Sequence, residues 1–320
     1  MRVDRVIVVS PRKSGTHLVQ EMMTSFGYQV HGETVPPLDA VVALSPQERM
    51  ELARRHLRAD ALAALDWRRD REEFVRVTNL LWYQVAAMWQ VRLSSVRVPH
   101  TELAQPERDQ RVPLSPDAWR RPFADTPANI CWTFHSIDVW HVDHDFYREW
   151  QEDWRPRIVV NVRDPRDTLI SMVNFLSGDS GHVFSRQPEL AVFRPILAAI
   201  PDLASRVAYA LREPALPLLA DFEAAISLYH HPHVCAVTFE DLIGPLGGGS
   251  AARQRAAVER VAAHLESDAD PAAIAEKLFN REAYSFHRGA TGAWREVFGK
   301  RHHDLFERRF GHLLEIFDYA

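Results

Sequence analysis

The segment that most constrains the fold lies at the N-terminus. Val6, Ile7, Val8 and Val9 form a short β-branched run, with charge before it and Ser10-Pro11 after it. Leu18, Val19, Met22, Met23 and Phe26 then recur at helical spacing until Gly27. A four-residue apolar run suits a strand buried on both faces, as in a parallel sheet covered by helices. Glycine just past the last periodic position is a helix stop. Strand, short loop and helix in this order make a βα unit. Residues 28–31 read as a second short strand. Residues 129–134, 158–162 and 234–239 read as three more, each followed by polar residues and then by helical sequence. The expected fold class is α/β, a three-layer fold with a central parallel sheet flanked by helices, in a single domain over residues 1–320.

Between the second and third strands the pattern changes. Residues 45–67 are rich in Ala, Leu, Glu and Arg at helical spacing and read as a surface or lid helix, and residues 74–93 as a second, aromatic-rich helix. Residues 96–127 are rich in Pro and Arg without periodicity and are expected to be a mobile connector. Together they suggest a helical insertion at about 41–127 that shapes the acceptor side. Trp82, Trp89, Trp132 and Trp140 either line an apolar pocket or belong to the core. Gly247-Gly248-Gly249 reads as a flexible turn.

Composition narrows the partners. A chain that is 46% hydrophobic and 25% charged can bury a large core. A formal charge of -5 gives no global positive field, so neither nucleic acid nor an anionic membrane is an expected partner. No stretch of eighteen apolar residues occurs, and the charged N-terminus does not suit a signal peptide. Cys131 and Cys235 lie in apolar runs and read as small buried hydrophobes, which fits a reducing cytoplasm.

An anionic ligand therefore needs a local basic pocket, and the first loop offers one. Ser10-Pro11-Arg12-Lys13-Ser14-Gly15-Thr16-His17-Leu18 runs from strand into helix. Helix N-terminal N–H groups lack intrahelical partners, the macrodipole is positive there, and Gly15 admits close approach of an oxyanion. Lys13 adds a full charge and is one of only three lysines in a chain with 38 Lys and Arg. The string is not a Walker A loop, whose glycine spacing and lysine position differ. On this string alone, a plain βα turn and a phosphate loop are equally open.

The string resembles the 5'-phosphosulfate loop of cytosolic-type sulfotransferases, a P-K-S-G-T-T-W pattern after the first strand. Lys13, Ser14, Gly15 and Thr16 match, His17 and Leu18 follow, and Arg12 is an extra residue between proline and lysine. Leu18 stands where many members carry the tryptophan that stacks on adenine. Arg163-Asp164-Pro165-Arg166-Asp167, with Ser171 eight residues after Arg163, resembles the family's 3'-phosphate segment. His287-Arg288-Gly289, continuing to Gly292 and Trp294, resembles its R-K-G-x-x-G-x-W segment, with histidine for the first basic residue. Phe239-Glu240-Asp241-Leu242 resembles its Y-E-D-L stretch, where the aromatic ring can pack on the nucleotide.

The resemblance implies a P-loop-NTPase-like sulfotransferase fold. It further implies 3'-phosphoadenosine-5'-phosphosulfate (PAPS) as co-substrate, with adenosine 3',5'-bisphosphate (PAP) as product and no metal required. The acceptor would be a hydroxyl or amine of a small molecule, for example of bacterial natural-product type. Thr133-Phe134-His135 resembles the family's K-T-H segment and puts His135 in the place of the general base, with Glu33 as the alternative. His135, Asp138, His141, Asp143, His144 and Asp145 have metal-like spacing but read as a polar acceptor-side loop, since no H-E-x-x-H or cysteine pair is present. A P-loop-type small-molecule kinase needing Mg²⁺ and ATP is the alternative enzyme, and a nucleotide-binding protein without turnover the alternative class. The family's C-terminal dimer signature is not evident, and the oligomeric state is open.

Overall fold

A computed structural model describes residues 2–32, 42–93, 111–137, 139, 142–178, 191–279 and 291–320. Its five strands are β1 (Arg5–Val9), β2 (Gln29–Gly32), β3 (Ile130–Phe134), β4 (Arg157–Val162) and β5 (Val234–Thr238). They form one sheet in the order β2-β3-β1-β4-β5, with every pairing parallel. The N-terminal strand is thus the sheet's axis, and its loop opens at the carboxyl edge between β3 and β4. In open parallel sheets, ligands bind outside the strands' carboxyl ends where the strand order reverses.

Alternation explains the three layers. Ile7 and Val9 of β1 join Trp132, Phe134, Val160 and Val162 in one apolar layer, whereas Val6 and Val8 join Cys131 and Val159 in the other. Successive strand side chains point to opposite faces, so a sheet buried on both sides is apolar at nearly every position.

The helices are α1 (Thr16–Ser25), α2 (Pro46–His56), α3 (Ala59–Ala63), α4 (Arg71–Leu93), α5 (His144–Asp153), α6 (Pro165–Ser177) and α7 (Phe193–Ala199). They continue with α8 (Leu203–Arg212), α9 (Ala220–Tyr229), α10 (Phe239–Leu242), α11 (Ala251–His264), α12 (Pro271–Lys277), α13 (Trp294–Val297) and α14 (Lys300–Ile316). α1, α11 and α12 cover the Val6/Val8 face, and α4, α6, α8, α9 and α14 the other.

The insertion differs from expectation in two ways. Instead of one helix over 45–67, α2 starts at a capping box between Ser45 and Glu48 and stops at Leu57, which turns extended and bridges to Leu114. Of the connector expected over 96–127, residues 96–110 lie outside the described residues, and 111–127 are packed chain. Phe123 lies 4.8 Å from Trp89 and 5.5 Å from Trp132, centroid to centroid, and Arg92 donates to Arg121 O at 2.8 Å. Periodicity could not show this, because the segment is held by single anchors rather than by a helical or strand face. In the glycine turn a Cβ on Gly247 or Gly249 would press on Ile243, within 2.7 and 2.9 Å, whereas Gly248, with φ of 84°, faces open space. Trp82, Trp89 and Trp132 are core residues, at most 1% exposed. Cys131 is buried and Cys235 half-buried, and neither forms a disulfide. No described helix is long and apolar enough to cross a membrane.

Candidate active site

The site is built on the loop between β1 and α1. Ser14 N–H donates to Pro11 O at 3.0 Å and closes a four-residue turn in which Lys13 has φ of 67° while Arg12 is not left-handed. Positive φ at the third position alone marks a type II turn, where glycine is preferred. A lysine there is held against a bias of about 1–2 kcal/mol, so its surroundings must fix it. Asn161 does part of this, its Nδ2 donating to Ser10 Oγ at 3.0 Å and to Ser14 O at 2.9 Å. Arg163 Nη1 donates to Lys13 O at 3.3 Å, and Ser10 N–H to Phe134 O at 2.8 Å. Gly15, with φ of 88°, is the N-cap of α1, and a side chain there would run into the Phe239 ring.

Positive charge converges on this loop. Lys13 Nζ lies 4.5 Å from the centre of the Phe175 ring, and the Arg163 guanidinium stacks at 4.5 Å on Phe239. Burial, and secondarily Arg163, lowers the Lys13 ammonium to about 8. Ser171 lies one turn before Phe175 on α6, hence on the same helix face. The Ser14 hydroxyl is buried and meets no partner among the described residues. α1 has no side-chain cap and no acid in its first turn, which leaves its positive end to an external anion. A cationic pair, an unpartnered hydroxyl and an open helix end fit a phosphate or sulfate group.

His135 follows β3 beside this loop and is half-buried. Its Nδ1 is 3.0 Å from Ser10 O. A carbonyl only accepts, so Nδ1 carries a proton, and in the neutral tautomer the lone pair is at Nε2.

The second and third motifs dock on each other. Asp164 caps α6, accepting from Arg166 N at 2.9 Å, and its Oδ2 also accepts from Trp294 Nε1 at 3.0 Å. Asp167 accepts from Gly292 N at 2.6 Å and Trp294 N at 3.0 Å. Burial raises the Asp167 carboxyl despite these donors and the Arg163 charge. Arg166 stacks on Trp294 at 4.0 Å and donates to Tyr319 O at 2.9 Å. The Tyr319 hydroxyl donates to Glu240 Oε2 at 2.6 Å, while Glu240 Oε1 accepts from Asp164 N at 3.2 Å.

Lys13, Ser14, Gly15, Thr16, Arg163 and Phe239 thus come together, with His135 joined through Ser10 and Ser171 on the facing helix. Thr16 is buried, its hydroxyl 3.0 Å from that of Ser10, and His17 is half-buried. Leu18, expected in the donor site, packs instead in the apolar layer with Val19 and Met22, because its helical position points it at the sheet. Glu33, His287, Arg288 and Gly289 lie outside the described residues, as do Asp138, Trp140 and His141. Among the described residues no group of His, Cys, Asp or Glu could hold a metal ion. Sequence reasoning passed over Asn161, Phe175, Asp221 and Tyr319. Of these, only Asn161, a polar residue inside a buried apolar strand, carried a local signal.

A parallel α/β sheet with an anion-receiving βα loop at the end of its central strand defines a protein that handles a phosphate- or sulfate-bearing ligand. The model of the sulfotransferase domain matches residues 3–246, and the chain belongs to the sulfotransferase family. It is by that membership an enzyme that transfers a sulfuryl group. No curated protein sequence matches it. Solved structures similar to it include mouse sulfotransferase SULT7A1 complexed with PAP, at 13% identity and a TM-score of 0.47, covering 100% of this chain and 89% of that one. Retinol dehydratase in complex with androsterone and inactive cofactor PAP is similar at 14% identity and a TM-score of 0.39, covering 98% and 82%. Retinol dehydratase with retinol and PAP follows at 16% identity, with the same TM-score and coverage.

Proposed function

We propose that this sulfotransferase takes its sulfuryl group from PAPS and delivers it to a hydroxyl or amine of a small-molecule acceptor. The observation that carries this reading is the convergence of Lys13 and Arg163 on a loop whose Ser14 hydroxyl has no partner among the described residues and whose helix start has no side-chain cap. When bound, PAPS supplies an activated sulfuryl group and leaves as PAP. The remaining chemistry belongs to the chain. Lys13, Ser14, Gly15, Thr16 and the N–H groups at the start of α1 hold the 5' anion. The Lys13 ammonium neutralises charge that grows on the bridging oxygen, in a partly buried position where a charge acts strongly. Arg163 and Ser171 hold the 3'-phosphate with His287, Arg288 and Gly289. The docking of Gly292 and Trp294 on Asp164 and Asp167, next to Arg163, supports that grouping. Phe239 packs on the nucleotide beside Gly15.

His135 acts as general base. Nδ1 stays bonded to Ser10 O, and Nε2 takes the acceptor's proton as the new bond to sulfur forms. Glu33 is the alternative base. The deciding experiment is isothermal titration with PAP and, separately, with ADP and Mg²⁺. Binding of PAP that is lost in Arg163→Ala supports the reading, and preference for Mg-ADP would move the protein to a kinase. His135→Ala that binds PAP normally but has lost turnover supports His135 over Glu33.

A further inference from the structure

The loop carries one residue more than the family pattern, and the structure shows where that residue goes. Arg12 does not point at the anion site. Its guanidinium forks onto Asp221 of α9, with Nε to Oδ2 at 2.7 Å and Nη2 to Oδ1 at 2.9 Å. Its backbone N–H donates to the same Oδ2 at 3.0 Å. Three hydrogen bonds join one carboxylate to one loop residue across 209 positions of sequence.

Asp221 is buried, with 10% of its side chain exposed. Burial alone would raise its carboxyl, but the Arg12 charge and hydrogen bonds, with a smaller contribution from nearby His135, outweigh it and the net direction is downward. A buried ion pair contributes little net stability against an apolar pair of the same shape, whereas removing one partner strands the other charge. Its value here is geometric. Arg12 occupies the second and Lys13 the third position of the turn, and the third is the one held against its conformational bias. Asn161 and Arg163 pin the second half of the turn through the carbonyls of Ser14 and Lys13. Asp221 pins the first half, through both the backbone and the side chain of Arg12. The bidentate fork also occupies a cation that would otherwise stand next to Lys13 and compete for the same anion.

We propose that Asp221 is a positioning residue of the donor site: it latches the additional loop residue, Arg12, to α9 and so holds Lys13 in the turn that presents its amine to the sulfuryl donor. This rests on the reading of the loop as the donor site, and the test separates the two. Hydrogen exchange of the amides of residues 12–16 is measured in the ligand-free protein, parent against Asp221→Asn, Arg12→Gln and the double variant. PAP titration and donor KM and kcat follow on the same set.

The latch predicts at least tenfold faster exchange of these amides in each single variant, and a double variant no worse than Asp221→Asn, as expected of partners acting as one unit. It also predicts donor KM raised about tenfold or more with kcat at saturating donor changed less than threefold. A purely structural role would lower the melting temperature without this split. Unchanged loop exchange in folded Arg12→Gln overturns the latch whatever the ligand. If the parent does not bind PAP at all while the exchange effect is present, the latch stands and the donor assignment falls. Should Asp221→Asn not fold, Arg12→Gln, whose side chain is partly exposed, carries the test alone.

Discussion

Two histidines make the fold acid-sensitive in a measurable way. His56, at the end of α2, is 1% exposed, and among the described residues neither ring nitrogen has a partner of good hydrogen-bond geometry, the Asp125 backbone offsetting only part of the burial. His31, at the end of β2, packs between Trp82 and Trp132 with its Nε2 inaccessible and unpartnered. Burial lowers each to about 4 from an ordinary 6.5. A depressed histidine is neutral in the folded chain where it would be charged in the unfolded one. Its contribution is fully present above pH 6.5 and is lost as pH falls toward 4. Each shift corresponds to about 3 kcal/mol over the whole window and, integrated to pH 5, to about 2 kcal/mol per histidine. Both together remove about 4 kcal/mol at pH 5, a large share of the roughly 5–15 kcal/mol typical of a domain. The perturbation is His56→Leu, far from the donor loop, and the assay is urea unfolding at pH 7.5 and pH 5. The parent should lose more between the two pH values than the variant does, by about 2 kcal/mol. At pH 7.5 the two should agree within about 1.5 kcal/mol, because the exchange is close in volume and removes two unpaired polar atoms. Equal pH losses in parent and variant would refute the reasoning.

Three further outcomes follow from the site. Lys13→Met keeps a stem over Phe175 but no charge, and should cut turnover by about 10²–10³ with an unchanged melting temperature, whereas turnover within threefold of the parent would remove Lys13 from the mechanism. Since Lys13 is lowered to about 8, chiefly by burial, PAP affinity in the parent should fall as pH rises through that value, and titrations from pH 7 to 9 should show no such fall in Lys13→Met. Gly15→Ala meets both a φ of 88° and the Phe239 ring, and should destabilise the chain by about 1–3 kcal/mol with loss of PAP binding, read by thermal melts and calorimetry. Trp294→Phe removes the indole donor to Asp164 and should weaken PAP binding by up to about tenfold, the equivalent of one hydrogen bond of about 1 kcal/mol, while leaving Asp164 paired with Arg166.

What could be read in advance was whatever depends on near neighbours in sequence. The β1 run, the Gly27 stop, the Asp164-Pro165 helix start and the strand ends at Phe134 and Val162 are local patterns, and they lie within a residue or two of where they were expected. That Lys13 to Thr16, Arg163 and His135 lie together at one edge of the sheet was legible because each lies in a loop that follows a strand or leads into a helix. What stayed hidden is long-range. Nothing near Asp221 announces that it receives Arg12. The break at Leu57 depends on Leu114, and the packing of residues 111–127 on single contacts to Trp89, Arg92 and Trp132. The face that Leu18 presents depends on the same long-range packing. A motif gives a position in the chain, but the helix phase decides whether the side chain faces ligand or sheet.

The position of β1 at the centre of the sheet also orders events in time. Its two neighbours pair it through Ile130–Phe134 and from Arg157 onward, so the first strand cannot be enclosed until more than a hundred further residues are available. The contacts that shape its loop reach across 147, 150 and 209 positions. Loops must close over all that chain before any of those bonds offsets the entropy lost, and topologies dominated by such separations fold slowly. The loop after β1 therefore has its full set of contacts only once β3, β4 and α9 are all in place. If that loop binds the nucleotide as proposed, binding is then a report on the whole fold. A ligand gripping only that loop would add its binding free energy to the stability of every element that had to fold first.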